Sequence, residues 1–272
     1  LFDGHDSKVE SLEQAVAKQF RFPSCEPITG QTYSRKVDAQ VAGTLAGVAT
    51  SVHKFANDMR LLANLKEIEE PFGAQQVGSS AMAYKRNPMR CERATGLARF
   101  VLSIANSPLQ TAAEQWFERT LDDSANKRLT IPETFLATDG MLRIVNNVAQ
   151  GLVVYPKTIE ARIASELPFM ATEDILMAGV QAGGDRQELH ERIRRHAQAA
   201  ARQVKEQARP NDLLDRLAGD PAFAKVDIRS TLDPKRYVGR APQQVDDFLR
   251  TVVAPIRRRH RKSLGMASDL NV

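Results

Sequence analysis

The sequence predicts an all-α protein, an elongated helical bundle followed by a smaller all-helical C-terminal domain. Three observations carry that expectation. Two long stretches repeat apolar residues at alternating spacings of four and three, the period of one helix face. The first is Val41, Leu45, Val48, Val52, Phe55, Met59 and Leu62; the second is Ile131, Phe135, Thr138, Leu142, Val145, Ala149 and Leu152. Aromatic residues make up only 6% of the 272, while alanine and leucine abound, a balance that favours helix. No stretch alternates apolar and polar residues as a half-buried strand does.

Taken in order, the first repeat predicts a helix over about residues 33–70, free of proline until Pro71 ends it. At about 1.5 Å per residue it would be roughly 50 Å long. A helix of that length in a chain of this size presents a seam that other chains are expected to cover. Residues 73–87 show no apolar period and read as a loop. Ala94, Leu97, Ala98, Val101, Leu102 and Ala105 then give a third helix after Pro88. Pro132, near the start of the second repeat, predicts a kink or a fresh helix start. Gly151 suits a helix C-terminus and Pro156 blocks continuation, so the domain boundary is expected near 154–156, dividing the chain into 1–154 and 155–272. Shorter helices follow at about 168–182, 185–207, 212–218 and 241–259, punctuated by Pro210, Pro221, Pro234 and Pro242. Within 185–207, Leu189, Ile193, Ala197, Ala200 and Val204 line one face.

Composition excludes several functions. The net charge is +5, from 38 Lys+Arg against 33 Asp+Glu, with clusters at Arg192, Arg194 and Arg195 and at Arg257-Arg258-Arg259-His260-Arg261-Lys262. Neither cluster is interleaved with aromatic residues, so both read as solvated helix ends rather than a nucleic-acid surface. No apolar run is long enough to span a bilayer, and there is no basic-then-apolar leader, so no membrane partner is expected. Opening at Leu1 without a methionine reads as a cut inside a larger protein. Cys25 and Cys91 lie far apart without metal-ligand spacing, which suits a reduced, cytoplasmic setting.

Chemistry concentrates in three blocks: Gly30-Gln31-Thr32-Tyr33-Ser34-Arg35-Lys36, then Val77-Gly78-Ser79-Ser80-Ala81-Met82-Ala83-Tyr84-Lys85-Arg86-Asn87-Pro88, then Gln115-Trp116-Phe117-Glu118-Arg119-Thr120-Leu121-Asp122-Asp123-Ser124-Ala125-Asn126. The middle block resembles the signature loop of the fumarase/aspartase superfamily, G-S-S-x-M-P-x-K-x-N-P, and the three together resemble the adenylosuccinate lyase family in its animal-type form. The resemblance runs from Leu1 to at least Gln244. It implies elimination of fumarate from succinylated purine nucleotides, adenylosuccinate giving AMP and the succinyl-aminoimidazole-carboxamide ribotide giving AICAR. It implies no metal or cofactor, and a homotetramer whose sites are assembled from three subunits.

Eliminating fumarate requires a base near a weakly acidic carbon, cations for the carboxylates, and a donor for the leaving nitrogen. By the resemblance, Ser79 is the general base. A serine hydroxyl is a poor base at its ordinary pKa and must lose its proton inside a closed, charge-stabilised site. Lys85 would offset carbanion and carboxylate charge, and Asn87 would hydrogen-bond a carboxylate. Arg93, Arg119, Ser124 and Arg128 match the positions that hold phosphate and carboxylates, work suited to the guanidinium fork; Gln31 matches a glutamine that contacts substrate. Arg99, outside the blocks, reads as a surface residue. None of His5, His53, His190, His196 and His260 lies in a sequence like the family's catalytic histidine motifs, so the general acid is expected outside this chain. The signature has proline where this chain has Ala83, which removes a φ restraint and predicts a more mobile empty loop over 73–87.

Two other readings compete. A non-catalytic scaffold would account for Ala83, but it has no physical need of Ser79, Lys85, Asn87, Arg93, Arg119, Ser124 and Arg128. Another fumarate-releasing lyase of the superfamily is the enzymatic alternative; the wording of Tyr84-Lys85-Arg86-Asn87 and of the third block argues against argininosuccinate lyase and fumarase.

Overall fold

The computed structural model describes residues 2–73, 81–82, 84–117 and 120–265. The chain divides into two compact units that meet at Val153 and Val154, and the described residues are helical almost throughout.

In the first unit, α1 (Asp6–Gln19) precedes three packed helices, α2 (Lys36–Asn64), α3 (Met89–Ile104) and α5 (Asp122–Gln150), with the short α4 (Ser107–Ala113) between the last two. The starts of α2 and α5 are joined by an ion pair between Arg35 and Asp123, both buried. Their ends meet where Gly151 abuts Pro71, so closely that a Cβ at position 151 would lie 2.5 Å from the proline Cβ. The two helices therefore run parallel. Helix α3 runs back against both, because the Glu70 carboxylate just beyond α2 accepts the backbone N–H groups of Arg90 (2.7 Å) and Cys91 (3.0 Å). That carboxylate satisfies two of the donors that every helix start leaves open. Burial and Glu70 together push the Cys91 thiol up to about 12.

Helix α2 is shorter than the apolar repeat predicts. It ends at Asn64, where Lys66 takes a left-handed φ of 61°. The N–H of Glu67 reaches back to the Leu62 carbonyl and that of Lys66 to Ala63, closing a Schellman motif with lysine in the place glycine usually fills. The chain then forms β1 (Ile68–Glu69), which pairs with β2 (Val153–Val154), two-residue strands that the sequence pattern does not reveal. Pro132 starts no new helix. Helix α5 begins ten residues earlier and runs continuously through it.

The bundle core is made of small residues. Ala42, Ala49, Ala56, Ala94, Ala98 and Ala137 are buried around Val52, Val101, Met141, Ile144 and Val148. On α5 the buried stripe is Thr134, Ala137, Thr138, Met141, Ile144 and Val148, which overlaps the predicted seam only in part: Thr138 is buried and Val145 and Leu152 pack against the core, whereas Phe135 and Leu142 are exposed, as are Leu129 and Leu136 beside them.

The second unit begins with α6 (Pro156–Met170), which sequence reading misses by taking Pro156 only as a barrier. At the first helical position a proline forfeits nothing, since that N–H has no partner in any case. Pro168, expected to open a helix, lies inside this one. Then come α7 (Thr172–Gln181), α8 (Arg186–Gln207) and α9 (Leu213–Ala218), three 3-10 turns over 221–237, and a continuous run of α10 (Ala241–Phe248), a π segment (Leu249–Val253) and α11 (Ala254–Arg259). Asp185, Asp220, Asp227 and Asp233 each cap the helix or turn that follows by accepting a backbone N–H. The core here is large and apolar: Ile175, Leu176, Leu189, Ile193, Leu213, Leu217, Phe223 and Ile228. Among the described residues, no helix is long and apolar enough to cross a membrane.

Candidate active site

Two of the three sequence blocks converge at the starts of α2 and α5. Gln31, Thr32, Tyr33 and Arg35 from the first and Asp123 and Ser124 from the third, with Lys127 and Arg128 just beyond, line a cavity of about 350 Å³. Local chemistry fixes this arrangement. The Arg35 N–H donates to Gln115 Oε1 at 3.1 Å, which ties the opening of the third block to the first turn of α2. The Arg35 Nε–H donates to Asp123 Oδ2. Asn126 turns away from the cavity toward α4, where it accepts from Ser107 (2.7 Å) and donates to Thr111 (2.9 Å), so α5 is held in register by a side chain that takes no part in the cavity. Asp122 and Asp123 in the first turn of α5 also complement the positive end of its dipole.

The cavity is electropositive. Three cations, Arg35, Lys127 and Arg128, and one carboxylate line it, and two helix starts add their partial positive charge. Tyr33 stands among them, with the Arg35 Cζ 4.6 Å and the Lys127 Nζ 5.7 Å from its ring centroid. Its hydroxyl donates to Asp38 Oδ1 at 2.8 Å, and burial with that carboxylate raises its pKa. For Arg35, burial pulls the pKa down, but the hydrogen bond and charge of Asp123 outweigh it and hold the guanidinium above its ordinary value. Arg128 Nη1 sits 3.5 Å from Ser124 Oγ, too long for a strong bond, which leaves both groups available to a ligand.

The remaining predicted residues that the structure describes lie at the other end of the bundle. Lys85 is exposed, Asn87 is half-buried and Arg93 is exposed one turn into α3. Asn87 borders a crevice with Glu69, Glu70, Phe72 and Arg86, of about 10 Å³, room for a single water at most. Arg86 spans this crevice, paired with Glu69 at 3.0 Å and 5.1 Å from the Phe72 ring centroid. Because α2 and α5 are parallel and each 29 residues long, the two groups are separated by roughly 30 Å or more at about 1.5 Å per residue. One small molecule cannot touch both within a single chain. Ser79 and Arg119 fall outside the described residues, as do Ala83 and most of the loop over which mobility is expected.

Sequence reading does not single out Arg35, Tyr33, Asp123 or Lys127, although the first three lie inside the quoted blocks. The missing signal is a pairing across 88 positions. No histidine lines the cavity. His53 contacts Asn57 on its own helix at 3.1 Å, and His196 bonds Asp220 at 2.9 Å in the second unit; the latter pairing is not legible in the sequence either.

The fold and the motif-lined cavity define a class. A family profile described as "Lyase" matches residues 3–103. Among solved structures, a fumarate lyase from Mesorhizobium sp. BNC1 superposes with a TM-score of 0.69 at 25% identity, covering 88% of this chain and 52% of that one. A second profile, "Adenylosuccinate lyase C-terminus", matches residues 168–248. The adenylosuccinate lyases of Schizosaccharomyces pombe and Saccharomyces cerevisiae are 52% and 53% identical over 251 residues, 92% of this chain and 52% of each relative. The chain belongs to the adenylosuccinate lyase family, and it spans about half the length of the curated relatives it matches.

Proposed function

We propose that this chain works as a subunit of an adenylosuccinate lyase in the cytoplasm, releasing fumarate from adenylosuccinate and from the succinyl-aminoimidazole-carboxamide ribotide. The observation that carries the reading is the convergence of Gln31, Ser124 and Arg128, from separate blocks, on one electropositive cavity. A purine nucleotide with a succinyl arm presents a phosphate and two carboxylates, and a cavity of this charge suits such oxyanions. The separation of this cavity from Lys85, Asn87 and Arg93 supports a site completed by other copies of the chain. So do the exposed Leu129, Phe135, Leu136 and Leu142, an apolar face of the kind that packs in an oligomeric bundle. The reading includes a homotetramer.

In this reading the Ser79 alkoxide of one copy takes the proton from the succinyl carbon, and Lys85 and Asn87 stabilise the resulting carbanion through its carboxylate. The electron pair then expels the substrate nitrogen that carried the succinyl arm as the C–N bond breaks, and that nitrogen receives a proton. Gln31, Arg93, Arg119, Ser124 and Arg128 hold the oxyanions throughout. The reading assigns the proton donor to none of the five histidines.

The test is fumarate release by the full-length protein, which carries the proton donor expected outside this chain, followed by loss of adenylosuccinate absorbance. Ser79→Ala should lower kcat by about three orders of magnitude or more with little change in substrate affinity, because the alkoxide acts in the transition state. Near-normal kcat in that variant would show that another group is the base.

A further inference from the structure

Arg35 is buried to within 4% of full exclusion, yet its guanidinium is only half engaged. Asp123 takes the Nε–H and the Tyr33 ring lies beside the guanidinium, while Nη1, itself shielded from bulk water, has no hydrogen-bond partner among the described residues. Asp123 cannot correct this by rotating. The guanidinium edge that carries Nε–H also carries Nη2, so a carboxylate bound there can take Nη2 as its second donor but never Nη1, which faces the other way. A buried donor left without an acceptor is costly and in native proteins is ordinarily met by something. Arg35 lines the cavity that holds Gln31, Ser124 and Arg128. Its backbone N–H is committed to Gln115 and its Nε–H to Asp123, so the residue is held at its backbone and at Nε while the Nη1 donors stay open.

We infer that Arg35 is a further binding residue of this site, donating from Nη1 to an oxyanion of the ligand while Asp123 holds the guanidinium plane in place. The inference rests on the reading of the cavity as a substrate site. A phosphoryl group and a carboxylate both offer the required acceptor. Asp123 matters twice here. It prevents the guanidinium from swinging out, and by occupying only the Nε edge it leaves the opposite edge for the ligand.

Calorimetric titration of the assembled protein with AMP, inorganic phosphate and fumarate tests this against Arg35→Lys, which keeps the charge and loses the fork. Affinity for at least one probe should fall roughly tenfold or more, the usual consequence of losing a charge-assisted hydrogen bond. A loss confined to AMP and phosphate identifies the oxyanion as phosphoryl, and a loss confined to fumarate identifies it as carboxylate. Ser124→Ala and Arg128→Ala separate the two levels of the argument. If they weaken binding while Arg35→Lys binds all three probes like the parent, the role of Arg35 is overturned and the site stands. If they too leave binding unchanged, the site itself is wrong. Should Arg35→Lys fail to fold, a crystal of the parent soaked with AMP and fumarate decides the matter. An oxyanion oxygen within hydrogen-bonding distance of Nη1 supports the inference, and a filled cavity with Nη1 bonded to no ligand atom overturns it.

Discussion

The two units of this chain solve the problem of making a core in opposite ways. The second unit buries Ile175, Leu176, Leu189, Ile193, Leu213, Leu217, Phe223 and Ile228 against one another, large side chains that gain most of their stabilisation inside one chain. The bundle buries alanines and leaves Leu129, Phe135, Leu136 and Leu142 facing outward. Small residues let α2, α3 and α5 approach closely, but each alanine contributes little buried area. The bundle therefore keeps a sizeable apolar face exposed on α5. The core around α7, α8 and α9 closes within the chain, although the helical run over 241–259 exposes Val245, Phe248, Leu249, Val252 and Ile256, whereas the bundle turns its largest α5 side chains outward. The proposed site lies on the bundle, where its two groups of residues sit at opposite ends.

That contrast predicts opposite responses to truncation. Phe223→Ala removes a large ring from a closed core, and should destabilise the second unit by about 3–5 kcal/mol, seen as early loss of amide protection there during denaturation. Leu136→Ala removes a side chain that is 66% exposed within its own chain. It should change the unfolding free energy of the dissociated chain by no more than about 0.5 kcal/mol, yet weaken assembly in sedimentation experiments. Equal costs at the two positions would erase the distinction between a closed and an open core.

A smaller effect sharpens the account of the second unit. Asp220 is buried, and it accepts from His196 (2.9 Å), Arg192 (3.1 Å) and the Ala222 N–H (3.0 Å). Burial alone would raise its pKa; the bond to His196, the Ala222 N–H and the charge of Arg192 more than offset this and hold the carboxyl below its ordinary value. A carboxylate with a depressed folded-state pKa contributes stability that is present above its unfolded value, about 3.9, and lost as the pH falls through the folded one. Asp220→Asn should therefore melt roughly 5 °C lower at neutral pH and lose less stability than the parent on acidification below about pH 4. Parallel acid profiles for the two proteins would show that this carboxylate does not link α8 to the turn after α9.

Much of this was legible in the sequence, and the gaps have physical causes. The apolar period revealed the long helices because 3.6 residues per turn writes itself into any helix with one buried face. It caught only part of the buried stripe of α5, through Thr138, Val145 and Leu152, because the largest apolar residues there face outward and a period does not say which of two apolar faces is covered from within the chain. Helix α2 stops at Asn64 through backbone bonds around Lys66, a device that leaves no glycine to mark it. The cavity was half readable: Gln31, Ser124 and Arg128 were named from motif positions, whereas Arg35 and Asp123 belong to it through a pairing between distant helix starts. The gap of roughly 30 Å between that cavity and Lys85, Asn87 and Arg93 could only be seen once the direction of each helix was known.

That gap supplies the most direct test. If one copy brings Ser79 and another brings Arg128 to the same site, Ser79→Ala and Arg128→Ala forms of the full-length protein are each defective alone, and unfolding and reassembling them together should restore fumarate release. With random assortment about a quarter of the sites would receive both intact residues, so activity should rise to a comparable fraction of the parent's. Mixed assemblies that form fully and remain as inactive as their components would contradict a site shared between copies, and with it the central claim that this open bundle is completed by its own kind.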